Sequence, residues 1–231
     1  MSSSSAGLSS SVWDRAGSDG HAMSKNLFAF LIRFWTAAGI AASAVAASFT
    51  LDWHPSIWAF IGLAVIPFVG VFVSMKSDNP AVSLLGYALI VVPFGLITGP
   101  LVALYTTASV VKVLAITTMI VVTLGIAGAI YPKSLESWGA FLFGGLLILI
   151  FGQFGVMILG AFGVNVGGAM TVLDWVGVFL FSAYVIYDMN RAMRLPRTHD
   201  NAIDAAVAVY LDFLNLFLRL LSIMGNRRSS D

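Results

Sequence analysis

Seven long apolar stretches take up most of this chain: residues 27–47, 57–73, 82–104, 110–131, 138–159, 171–195 and 202–224. A bilayer offers no water to backbone N–H and C=O groups, so only helices and closed barrels cross it. A crossing helix needs about 20 mostly apolar residues, and a crossing strand about half that. These stretches have the helical length. The fold class is therefore all-α, a polytopic membrane bundle of seven transmembrane helices with the lipid bilayer as solvent. Only 10% of the 231 residues are charged, against about 25% in a soluble domain. The net charge of +1 gives no reason to expect a nucleic-acid partner, and the absence of cysteine excludes disulfides, thiolate metal sites and cysteine nucleophiles.

Three regions follow from composition. Residues 1–26, rich in serine and glycine, read as a disordered polar N-terminal tail, 27–224 as the membrane domain and 225–231 as a short C-terminal tail. Arg15, Lys25, Lys76, Lys133, Arg191, Arg194 and Arg197 all fall on one side of a seven-span arrangement, while the opposite loops near 52–56, 105–109 and 160–170 carry no Lys or Arg. The positive-inside rule puts that side, and the N-terminus, in the cytoplasm. Arg227 and Arg228 then lie outside; a re-entrant last helix would return them. Pro93, Gly95, Gly99 and Pro100 interrupt the third stretch, which fits either a packing kink or a break lining a pathway.

Charge inside the oily sequence is rare, so each instance is informative. Asp188 and Asp212 sit in the last two stretches. An ionised carboxylate in a bilayer costs several kcal/mol, and such residues are usually paired and functional. Taking helix ends at 195 and 202 puts Asp188 and Asp212 at depths of roughly 10 and 15 Å. Antiparallel neighbours would then bring them within about a turn of each other. Tyr184, Asp188 and Arg191 share one helix face by spacing, and Asp212, Asn215 and Arg219 share another. Like charges a few Å apart do not both ionise readily, so a facing pair is expected to hold one proton near neutral pH. Losing it would create repulsion and a cation-attracting site, and Ca²⁺ prefers carboxylate oxygens. The alternative is structural glue, with each aspartate bound to a basic neighbour, for example Asp212 to Arg219. Arg33 and Lys112 are expected to snorkel, and Asp174 to sit at a solvated helix end.

The stretch from Phe181 to Asn190, with Tyr184-Val185-Ile186-Tyr187-Asp188-Met189-Asn190, and the stretch from Ala206 to Phe217, with Tyr210-Leu211-Asp212-Phe213-Leu214-Asn215, resemble the Bax inhibitor-1 family, also called the transmembrane Bax inhibitor motif family. Weaker matches are Gly95-Leu96-Ile97-Thr98-Gly99-Pro100-Leu101, Thr117-Thr118 and Lys133-Ser134-Leu135-Glu136. The resemblance implies a seven-helix fold with a central C-terminal helix, in a prokaryotic cytoplasmic membrane. It implies a pH-sensitive Ca²⁺ leak gated by a di-aspartyl pair, here Asp188 and Asp212, with Ca²⁺ and protons as ligands and no cofactor. Tyr184, Asn190, Arg191, Asn215 and Arg219 are the candidate supporting residues. Lys76 is the candidate for the basic latch that some bacterial relatives carry. A second reading is a membrane regulator that binds a quality-control protease or another membrane partner. Intramembrane aspartyl proteases also use two membrane aspartates, but only Tyr187-Asp188 resembles their pattern; no Gly-x-Gly-Asp or Pro-Ala-Leu segment occurs, so no enzyme is expected.

Overall fold

The computed structural model describes residues 23–228, so Arg15 and the tail reading for 1–22 and 229–231 lie outside the described residues. Seven helices follow in order: α1 (Lys25–Ser48), α2 (Ile57–Met75), α3 (Pro80–Ala103), α4 (Thr107–Ile130), α5 (Trp138–Ala161), α6 (Gly167–Ala192) and α7 (His199–Met224). Each is long and apolar enough to cross a membrane. Among the described residues the only β feature is an isolated bridge between Tyr105 and Arg227.

Side-chain caps fix most of the helix starts. Ser24, Ser56, Asn79, Thr106 and Thr198 each accept a hydrogen bond from the first turn of the helix that follows, satisfying an otherwise orphaned N–H. Ser24 thereby starts α1 at Lys25, inside the stretch read as tail. The end of α6 moves the other way, from 195 to Ala192. The carbonyl of Ala192 would need the N–H of residue 196, which is proline and has none. It accepts from Leu195 instead, in a tighter turn. Thr198 then opens α7 three residues before the apolar pattern begins.

α7 is the axis of the bundle. It packs against α1, α3, α4 and α6, while α2 leans on α3 and α5 on α6. Most of its residues are buried, including Tyr210, Phe213, Leu216 and Leu220. The outer helices turn Phe68, Phe141, Phe151 and Phe179 outward, as a lipid-facing surface does. The interrupted α3 runs through its prolines as one helix. A Cβ on Gly95 would fall 2.6 Å from the carbonyl oxygen of Ser43, so this glycine lets α3 press on α1, which is the packing reading. α7 also crosses fully. Near its start, the N–H of Met23 bonds the carbonyl of Arg197, whereas after its end Asn226 and Arg228 bond Thr106 and Leu104 of the α3–α4 loop. A re-entrant helix would bring both ends to one side.

Candidate functional site

Asp188 and Asp212 face each other across α6 and α7, with their carboxyls within hydrogen-bonding reach of one another. Asp212 is 4% exposed, and no side-chain or backbone donor serves its buried Oδ2. Carboxylates only accept, so a bond between two of them requires a proton on one. Asp188 is half-buried. It lines a cleft of about 90 Å³ with Arg191, Leu195, Asp204 and Ala208. The site thus has a closed carboxyl on α7 and an open one on α6.

Their depths differ from the sequence expectation. Asp188 lies four residues before the end of α6, and Asp212 thirteen after the start of α7. Those nine extra residues are about 14 Å of helix, so the first turns of α7 reach past the end of α6. There Asp200 and Asp204 are buried, one taking the Ser83 hydroxyl and the other that of Ser74. Asp78 acts electrostatically on both. Sequence reasoning missed Asp200 because hydropathy cut the helix at 202, and it passed over Asp204, two residues inside that cut. Thr198 as a cap and the i, i+4 spacing of Asp200 and Asp204 were the available signals.

The supporting residues divide into three groups. Tyr184 and Arg191 do belong to the site: Tyr184 lies within electrostatic reach of both aspartates, and Arg191, one turn from Asp188, is the charge that reaches it. Asn190 turns away instead. Its Nδ2 donates to the carbonyls of Gly128, Tyr131 and Lys133 at 3.1–3.2 Å, and its Oδ1 accepts from Leu135, pinning the α4–α5 loop. Asn215 only bonds the carbonyl of Leu211 in its own helix. Lys76 is exposed at the end of α2 and forms no ion pair among the described residues, so the latch position is not filled by it here.

Arg219 belongs to a different assembly, and Asp174 is not a solvated terminus. Arg219 pairs with Asp174 at 3.4 Å and donates to Gln153 at 3.3 Å. Ser222 donates to the second oxygen of Asp174 at 2.6 Å. The guanidinium lies 5.5 Å from the centre of the Phe181 ring and fills the space left by Gly177. Structural glue is thus present in α6 and α7, but between Asp174 and Arg219, not Asp212 and Arg219. Among the described residues no group of three or more acidic or imidazole side chains is placed to hold a metal.

Comparison with known proteins identifies the family of the chain. The chain is 26% identical over 212 residues to an uncharacterized membrane protein of Vibrio cholerae, covering 90% of each chain. It is 26% identical over 143 residues to inner membrane protein YbhL of Escherichia coli, covering 58% of this chain and 59% of that one. Protein LIFEGUARD 1 of Arabidopsis thaliana is 32% identical over 88 residues, 38% of this chain and 35% of its own. A family profile described as Inhibitor of apoptosis-promoting Bax1 matches residues 25–229. All seven helices fall within that match, and the chain belongs to the Bax inhibitor-1 family of integral membrane proteins.

Proposed function

We propose that the protein is a pH-gated cation leak, with Ca²⁺ as the principal cargo and the Asp188–Asp212 pair as the gate. The observation that carries this reading is the contact between two carboxyls on adjacent membrane helices, one of them with a buried oxygen that no donor among the described residues serves. With a shared proton, the pair is a hydrogen bond tying α6 to α7. Without it, two negative charges face each other in a medium of low dielectric, where repulsion is several times stronger than in water. The tie is complete while the proton is held and is lost as pH rises. Flux is therefore expected to increase with pH. Ca²⁺ takes six to eight oxygens, more than two carboxyls supply, so water must complete its shell. Weak binding of this kind suits passage, since a conducted ion must also leave.

The cleft beside Asp188 gives the pair an approach from the end of the bundle where α1 begins. That end also carries Lys25, Lys133 and Arg197. We take it as the cytoplasmic face of a prokaryotic cytoplasmic membrane. Cysteine probes on this cysteine-free chain test the orientation. Ser134→Cys should react with impermeant maleimide only from the cytoplasm and Asp52→Cys only from outside; the reverse pattern would overturn it.

The gate is tested by Ca²⁺ flux into liposomes containing only this protein, across a pH series. Asp188→Asn and Asp212→Asn should each remove most of the pH dependence, because each removes the like-charge repulsion and the titrating pair. Asp52→Asn, in the exposed α1–α2 loop, should leave it intact. Wild-type pH dependence in both site variants would refute the di-aspartyl gate. Absence of flux at any pH would refute the leak and favour the partner-binding reading.

A further inference from the structure

A cavity lies between α1 and α4, two helices that hardly touch each other. It measures about 440 Å³. Its floor is buried and apolar, formed by Ile32, Val121, Gly125 and Phe213. Its rim is exposed along both helices, at Ala37 and Thr118 among others, so it is a slot open sideways to the surroundings of the bundle. In a membrane those surroundings are lipid. The slot runs from residue 29 to 40 on α1 and from 130 to 118 on α4, roughly 17 Å at 1.5 Å per residue. One leaflet of a bilayer has a hydrocarbon depth of roughly 15 Å, half of about 30 Å. The slot therefore spans a single leaflet along the chain direction of a lipid.

One charged residue lines it, and it lies toward one end. Arg33 is eight residues into α1, about 12 Å along the helix. Its Nε donates to the carbonyl of Ala29 at 2.9 Å, which bends the side chain one turn back toward the start of α1. That is the direction of the nearer headgroup layer. The guanidinium is exposed and has no carboxylate partner among the described residues. A cation at that depth needs an anion or water, and the fork of a guanidinium matches phosphate oxygens. An apolar slot one leaflet long with a phosphate-binding group near its headgroup end has the charge pattern of a phospholipid in reverse.

We infer that the α1–α4 slot is a binding site for a bilayer phospholipid, with one acyl chain along the slot and the phosphate on Arg33. The assignment does not depend on what Asp188 and Asp212 do, although Met189 and Phe213, their immediate neighbours in sequence, help to wall the slot. The occupant would be a resident lipid, held more tightly than the annular lipids that cover Phe141 and Phe151 on α5.

The test uses the full chain in liposomes containing a phosphatidylglycerol whose acyl chain carries a photoactivatable diazirine, with crosslinks mapped by mass spectrometry. Labelling should concentrate on the slot, at Thr118 and Val122, well above that on the lipid-facing side of α5. Ala37→Trp, which fills the slot from its exposed rim, should remove slot labelling and leave α5 labelling unchanged. Native mass spectrometry from mild detergent gives an independent readout. Arg33→Gln should lower retained phospholipid by roughly tenfold, the loss of one charge-assisted hydrogen bond. Equal labelling of slot and α5 would reduce the site to annular lipid and overturn the inference. So would a Thr118→Cys disulfide forming between two copies, or crosslinking of Thr118→Cys to residues 1–22 of the same chain, since either would put protein in the slot.

Discussion

Two buried charged pairs join α6 to α7, and they are opposites. Near the middle of α7, Asp212 meets Asp188, like against like. Two turns further on, Arg219 meets Asp174, cation against anion. The second pair is furnished: Gln153, Ser222, the carbonyl of Leu173 and the face of Phe181 surround its charges. The first is bare, with only Arg191 and Tyr184 in electrostatic reach. An opposite pair set among polar partners holds two helices together whatever the pH, even though Arg219 Nε itself meets no acceptor among the described residues. A like pair with few partners holds them only as long as it keeps a proton. Burial of charge alone therefore does not set how a pair behaves; the sign and number of its neighbours do.

The comparison breaks first if the Arg219 clasp can be removed cheaply. Arg219→Ala strands Asp174 and opens the space against Gly177. Removing one partner of a buried ion pair costs about 3–5 kcal/mol, so the melting temperature in detergent should fall sharply, by a similar amount at pH 6 and pH 8. A variant melting like the wild type would show that the clasp contributes little. A smaller effect sharpens the contrast. Wild-type protein should lose stability as pH rises through the loss of the shared proton, by at most about 1.4 kcal/mol per pH unit for one proton. The sign follows from the proposed gate, in which a proton shared by the two carboxyls ties α6 to α7 and its loss leaves two like charges facing each other. Asp212→Asn should flatten that slope, whereas Arg219→Ala should keep it. A flat wild-type profile would mean that the pair carries no such proton.

Hydropathy was enough to place seven helices, and the cost of charge in lipid was enough to single out Asp188 and Asp212. It failed where polar residues are covered by protein instead of lipid. His199, Asp200 and Asn201 read as loop on a hydropathy count, yet they form the first turn of α7, with Asp200 buried against Ser83 of α3 and Asn201 buried and donating to the carbonyl of Pro196. Asn190 shares a short stretch with Asp188 but points to another neighbour, because two residues apart on a helix is half a turn or more. The partner of Arg219 was misassigned for a related reason. Spacing along one helix finds i, i+7 neighbours, but the counter-charge stood on α6, and helix rotation about its own axis is not written in periodicity. Pro196 follows directly on the apolar stretch that ends at 195; its missing N–H acts four residues upstream, which puts the end of α6 at Ala192.

The central position of α7 also bears on how the molecule is made. A chain emerges from the ribosome N-terminal end first, so α1 to α6 precede the helix they surround. Until α7 arrives, the inward faces of α1, α3, α4 and α6 have no core to pack on. α7 itself carries Asp200, Asp204, Asp212 and Arg219, each costly to place in bare hydrocarbon. Its entry is eased by partners already waiting in the neighbouring helices: Ser83 and Ser74 for the first two acids, Asp188 for the third and Asp174 for the arginine. Insertion of α7 is thus the closing of a sleeve around an apolar rod that carries four costly charges, and the residues that shape the site also ease that step.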